Sequence, residues 1–161
     1  MTALVDSTLE VRCVQYRCEF HMPASIDPTS RRILLHIGTH YGAITMPAEL
    51  GQQVQQQLFQ TQIAAPVVHH PRARRWTFIT GPAQPETLSP AVSAELFRLY
   101  ATVACAGSQV VLPSPDDERT GYRIWIQPPE NATTLPPLTA VIEATRAIGG
   151  RKVPPASRFA I

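Results

Sequence analysis

Between Leu50 and Pro85 the chain carries no Asp or Glu, while His69, His70, Arg72, Arg74 and Arg75 fall within seven residues. Guanidinium groups bind phosphate oxygens as a planar fork. Trp76 and Phe78, alternating with Arg75 and Thr77, add ring faces on which a base can stack. The pattern nominates Arg72, Arg74, Arg75 and Trp76 as a nucleic-acid-binding surface, with the arginines pairing phosphates and the tryptophan stacking. A formal charge of only +2 sets the scale, since such a surface holds a polyanion weakly. The competing arrangement turns Trp76 and Phe78 into the core and leaves three arginines solvating a hairpin tip.

Other chemistries find less support. Cys13, Cys18, His21, His36 and His40 fall within thirty residues, but their spacing matches neither the tight knuckles nor the helical i, i+4 pairs of zinc sites. No metal or cofactor is expected. Asp116-Asp117-Glu118 is the only carboxylate cluster; between Pro115 and Gly121, and answered by Arg119 and Arg123, it reads as a solvated hairpin loop. Ser108 and Ser114 lack a Gly-x-Ser-x-Gly setting, and Cys105 lies in an apolar run that would raise its pKa. No glycine-rich phosphate loop occurs. No catalytic residue is nominated.

The composition suits one folded domain: 161 residues, 44% apolar and 16% charged. Lys152 is the only lysine beside thirteen arginines, a bias that genome composition explains as readily as selection for the guanidinium. Three cysteines without dense spacing predict reduced thiols and no disulfide. Met1 to Glu10 lacks a basic start followed by an apolar run, and no stretch reaches the ~20 apolar residues that span a bilayer. A cytoplasmic, membrane-free protein is therefore expected. Asn131-Ala132-Thr133 matches a glycosylation acceptor only at the level of chance.

The elements that must position these residues follow from periodicity. Val14, Tyr16, Cys18 and Phe20 alternate with polar residues, predicting a strand over 14–20. Ile33–Ile37 and Gly42–Met46 predict a hairpin around Gly38-Thr39-His40. Pro47 and the Leu50, Val54, Leu58 spacing predict a helix to about Gln60. Pro66–His69 and Arg75–Thr80 predict a second hairpin, and Ser89-Pro90 opens a helix to about Tyr100. Val103–Cys105, Gln109–Leu112 and Tyr122–Ile126 predict three strands, the last two joined by a long hairpin loop. Pro136-Pro137 starts a final helix that Gly149-Gly150 ends. The order predicts an α+β domain over residues 1–149, with a mostly antiparallel sheet and about three helices on one face, then a flexible basic tail over 150–161.

Three segments carry a family resemblance: Tyr41-Gly42-Ala43-Ile44-Thr45-Met46-Pro47 with Gly51; Pro66-Val67-Val68 through Arg75-Trp76-Thr77-Phe78; and Leu112-Pro113-Ser114-Pro115 leading to Tyr122-Arg123-Ile124-Trp125 and Pro128-Pro129. Together, over about 35–147, the chain resembles the N-terminal domains of actinobacterial bifunctional DNA primase/polymerases, of the archaeo-eukaryotic primase superfamily. The resemblance implies an α+β core related to RNA-recognition folds. Catalysis in that family depends on paired acids holding divalent metal on the first strand and a His on the later strand. Here Gly42 and Thr45 stand where the acids are expected, and Arg75-Trp76 in the His region. A Gly and a lone hydroxyl cannot hold the ions of two-metal phosphoryl transfer, so the resemblance implies a catalytically silent, DNA-binding relative.

Two alternatives stand beside that expectation. A protein-interaction or regulatory module would show the region of Trp76, Tyr122 and Trp125 as a contiguous apolar patch. A nucleotidyltransferase with relocated acids would place Asp116 and Asp117 in the cleft.

Overall fold

The computed structural model describes residues 8–130 and 135–152. In chain order the elements are α1 (Leu9–Cys18), β1 (Ala24–Ile26), β2 (Ile33–His36), β3 (Gly42–Pro47), α2 (Ala48–Gln60), β4 (Val67–His70) and β5 (Arg75–Thr80). There follow α3 (Pro90–Arg98), β6 (Thr102–Val103), β7 (Gln109–Leu112), α4 (Pro115–Thr120), β8 (Ile124–Gln127) and α5 (Leu138–Lys152). The class is α+β, as expected, and every strand pairing is antiparallel.

Two sheets form rather than one. The larger has the order β6-β3-β5-β4-β8, the smaller β1-β2-β7. Within the larger, β3-α2-β4-β5-α3-β6 is a β-α-β-β-α-β unit in which the two crossovers interleave, so that all neighbours run antiparallel. One face of this sheet carries Ile44, Met46, Val67, Trp76 and Phe78 against Leu50, Val54, Leu96, Val141 and Ile142 from α2, α3 and α5. The opposite face presents Ala43 and Ile79 to Tyr16, Ile33, Leu35 and Leu112, from α1 and the small sheet. The central strands are thus buried on both sides, which is why their sequences read as near-continuous apolar and threonine runs.

Several expectations need correction. Residues 14–20 are not a strand: α1 starts at Thr8, whose hydroxyl accepts from the Val11 amide at 3.2 Å, with Glu10 in the first turn and Arg17 in the last. Its buried face, Arg12, Cys13, Gln15 and Tyr16, has helical spacing but is half polar, while Val11 and Val14 face solvent. The apolar alternation was therefore coincidental. β2 and β3 do not form a hairpin, because the chain crosses between sheets at Gly38–Tyr41. β7 and β8 also belong to different sheets, and the loop expected between them folds as α4. There Ser114 and Asp117 form a reciprocal capping box with Pro115 in the first turn. Among the described residues there are five helices, with α1 and α4 away from the face that carries the other three.

The last helix does not stop at Gly149-Gly150 but runs to Lys152, so a tail cannot begin at 150. Residues 153–161 and the Asn131-Ala132-Thr133 match lie outside the described residues. The second hairpin and the start of α3 are as expected, while the strand expected over 103–105 is Thr102–Val103. β4 and β5 form the second hairpin, and Ser89 caps α3 by accepting from the Val92 amide at 3.2 Å. Cys13 is buried and Cys18 and Cys105 are exposed, all as free thiols.

Candidate functional site: an arginine-lined cleft

The four nominated residues do not form one surface. Adjacent strand residues point to opposite faces, so Arg75 and Trp76 part company at the start of β5. Trp76 is only 5% exposed; its ring meets Phe78 at 6.4 Å and His69 at 6.2 Å, centroid to centroid. It cannot stack a base, and the core alternative applies to it. Gly51 makes this burial possible: a Cβ there would stand 3.0 Å from the Trp76 ring and Cβ, so α2 reaches the tryptophan only where it lacks a side chain.

Arg75 is a brace. Its guanidinium donates to the carbonyl oxygens of Thr45 (3.2 Å) and Tyr100 (2.7 Å), tying β5 to β3 and to the segment after α3. Arg74 is exposed at the hairpin tip with φ of 55°, and its carbonyl accepts from the Ala48 amide at 2.9 Å. That bond satisfies a donor at the start of α2, where Pro47 offers no side-chain cap. Arg72 points elsewhere: its guanidinium carbon lies 5.1 Å from the centroid of the Tyr122 ring. Arg123 lies at the same distance from that ring.

Tyr122, 38% exposed, opens onto a cleft of about 880 Å³ between the start of α1, the 27–32 turn and α4. Arg31, Arg32, Arg119 and Arg123 line it together with Asp116 and Asp117, and Ser30, Ser114 and Thr120 add hydroxyls. The turn that presents Arg31 and Arg32 is rigidly specified. The Asp27 carboxylate accepts from the Ser30 amide (2.8 Å) and hydroxyl (2.5 Å), and these bonds hold its pKa below the ordinary range. The Arg31 amide donates to the Asp27 carbonyl, and the Asp27 amide donates to that of Arg32.

Ion pairs absorb most of the local charge. Arg31 meets Glu10, Arg119 meets Asp116, Arg12 meets Glu118, and Arg123 meets Asp117 at 2.7 Å. Exposed pairs such as the first two are weak and screened by salt. Arg32 and Arg72 make no ion pair with any described residue, although the charge of Arg32 helps hold the Asp27 carboxyl ionised.

Behind the cleft a chain of polar groups crosses the larger sheet. Arg123 Nε donates to His70 Nδ1 (3.4 Å), which leaves the proton on Nε2 to be donated to Thr77 Oγ1 (3.0 Å); Thr77 and Thr45 share a bond of 2.8 Å. Burial, reinforced by the neighbouring Arg123, pushes the His70 imidazole down to about 4. It is therefore neutral near pH 7. Thr45 on β3 is thus satisfied within this chain. Asp117 joins the polar groups through Arg123.

Among the described residues no group of three or more His, Cys, Asp or Glu is placed to hold a metal ion. His36 and His40 instead bond Ser25 (2.6 Å) and Thr39 (2.9 Å) beside a separate recess of about 390 Å³. Trp76, Tyr122 and Trp125 form no common apolar patch: Trp76 packs on the helical side of the sheet, while Trp125 packs on the other and donates to the Tyr16 hydroxyl at 3.0 Å. No helix among the described residues is long and apolar enough to cross a membrane.

Sequence reasoning did not single out Arg31 and Arg32 as lining a cleft, nor Tyr122 as the ring that meets Arg72. The signal available was the Asp27-Pro28-Thr29-Ser30 turn immediately before two arginines. Comparison with protein-family models, curated proteins and solved structures finds no match to this chain.

Proposed function

We propose that this chain is a non-catalytic cytoplasmic domain with a primase-like core that binds nucleic acid weakly. The observation that carries the reading is Arg72, held over the exposed Tyr122 ring at the mouth of the arginine-lined cleft. A cation free of ion pairs, a half-exposed aromatic and a concave basic wall are the parts from which strand binding is built. The interleaved β-α-β-β-α-β order of the larger sheet supports the family resemblance. Its open face is covered by the small sheet and α1, so binding falls to the cleft rather than to stacked bases on the strands.

The placement of the acids supports the non-catalytic reading. Two-metal transfer needs carboxylate oxygens shared between ions roughly 4 Å apart. Thr45 stands on the strand that should supply them, and Asp117 is committed to Arg123 and to the capping box of α4. Primer extension with Mn²⁺ should yield no product; synthesis abolished by Asp116→Asn/Asp117→Asn would establish relocated acids instead. For binding, a labelled oligothymidylate should associate with a Kd of about 10⁻⁵ M in dilute salt, and Arg72→Ala should weaken it about fivefold.

A second reading, a protein-interaction module, is favoured by Phe97 (82% exposed) and Tyr100 (74% exposed) at the end of α3. A chain that ignores every nucleic acid but loses a protein partner on Phe97→Ser/Tyr100→Ser would fit that reading.

A further inference from the structure

We propose that the cleft between α1, the 27–32 turn and α4 is a site for the phosphates of single-stranded nucleic acid, with Arg31 and Arg32 as its principal anion-binding side chains. This rests on the nucleic-acid reading above and names the ligand class and the residues.

Shape selects the strand form. A cavity of about 880 Å³ is of the size that encloses a small ligand or a few linked units, whereas a duplex offers its phosphates on a convex cylinder too wide to enter. Charge selects the anion. Once the surrounding ion pairs are matched and the Asp27 carboxylate is set against Arg32, Arg72 at the mouth is left as the surplus cation, and Arg31 and Arg119 are tied to exposed carboxylates. The Glu10 partner is solvated and weakly held, so a phosphate diester can compete with it for the Arg31 fork. Of the lining hydroxyls, those of Ser30 and Thr120 already donate to Asp27 and to the Asp116 carbonyl, while Ser114, which accepts from the Asp117 amide, keeps a proton for a phosphate oxygen. The turn is fixed in advance by Asp27, so little ordering is lost on binding.

Arg123 has a positioning role. Its side chain is mostly buried and held by Asp117 and His70, so it keeps Tyr122 at the mouth rather than reaching a ligand. A strand would run from Arg72 past Tyr122 into the cleft, each bound phosphate displacing counterions.

The test is fluorescence anisotropy of a labelled oligothymidylate with wild type, Arg31→Ala/Arg32→Ala and a remote control, Arg98→Ala. Two lost contacts at ~0.7 each should reduce the slope of log K against log salt by about 1.4 and weaken binding about 25-fold at about 0.1 M salt. The control should match wild type. Asp116→Asn, which releases Arg119, should tighten binding about two- to fivefold, a gain that damage to the fold cannot produce. If wild type binds but the double variant behaves like Arg98→Ala, the cleft assignment is overturned and the nucleic-acid reading survives. Wild type that binds no strand in dilute salt overturns both. A nucleoside triphosphate that displaces the strand at equal concentration, or a duplex bound as tightly as the strand, overturns the single-strand assignment.

Discussion

His70 should make this protein acid-sensitive in a defined window. The buried imidazole titrates near 4 in the folded chain against about 6.5 when unfolded, so between these values the unfolded chain binds more protons. Stability conferred by the neutral ring is complete above about pH 6.5 and is lost as pH falls toward 4. Linkage puts the loss at about 2 kcal/mol at pH 5 and about 3 kcal/mol below pH 4. Proton uptake at His70 must also break one side of the chain, because a protonated Nδ1 can no longer accept from Arg123. Carboxylates titrate in the same range, so the contribution is isolated by comparison with His70→Gln, whose amide retains a polar group opposite Thr77. Urea unfolding at a series of pH values should show wild type losing about 2 kcal/mol more than His70→Gln between about pH 8 and pH 5. Parallel stability curves for the two proteins would refute the placement of a neutral imidazole against Arg123.

Two further stability effects follow. Tyr100 adopts φ of 58° just beyond α3, where glycine is the natural residue, and its ring is mostly solvated. Tyr100→Gly should raise the urea midpoint, with a gain of about 0.5–1 kcal/mol, while the backbone carbonyl still accepts from Arg75. Glu118→Ala should cost about 2–3 kcal/mol, because the Arg12 guanidinium, almost wholly buried in α1, loses the carboxylate that ties it to α4. A thermal melt unchanged from wild type would remove that pair from the account of how the cleft walls are joined.

Much of the fold was legible because local signals and burial agreed. Leu50, Val54 and Leu58 keep helical spacing and all three are buried, and the Ser89-Pro90 cap does what its chemistry predicts. α1 was misread because the structure buries Arg12 and Gln15 while exposing Val11 and Val14, reversing the usual sorting. Arg12 is tolerated inside in part because Glu118, more than a hundred residues away, lies opposite it, and no local pattern can reveal such a partner. For α4, Ser114, Pro115 and Asp117 spelled a helix start, but Pro, Asp and Gly together equally spell a turn. The site was half legible for the same reason. Arginine clustering drew attention to the hairpin tip, yet Arg72 acts with Tyr122 and Arg75 serves as a brace, a division set by strand alternation and by contacts from distant segments. Trp76 carried a correct warning in the alternation itself, which put one aromatic pair on the buried side.

The most direct measurement is the salt dependence of binding of a labelled single strand to the intact wild-type chain, free of any substitution. About four arginine contacts at ~0.7 each predict an affinity that falls roughly 50-fold between about 50 mM and 200 mM salt. An affinity independent of salt, or no association at the lower concentration, would contradict the claim that the arginine-lined cleft meets nucleic acid.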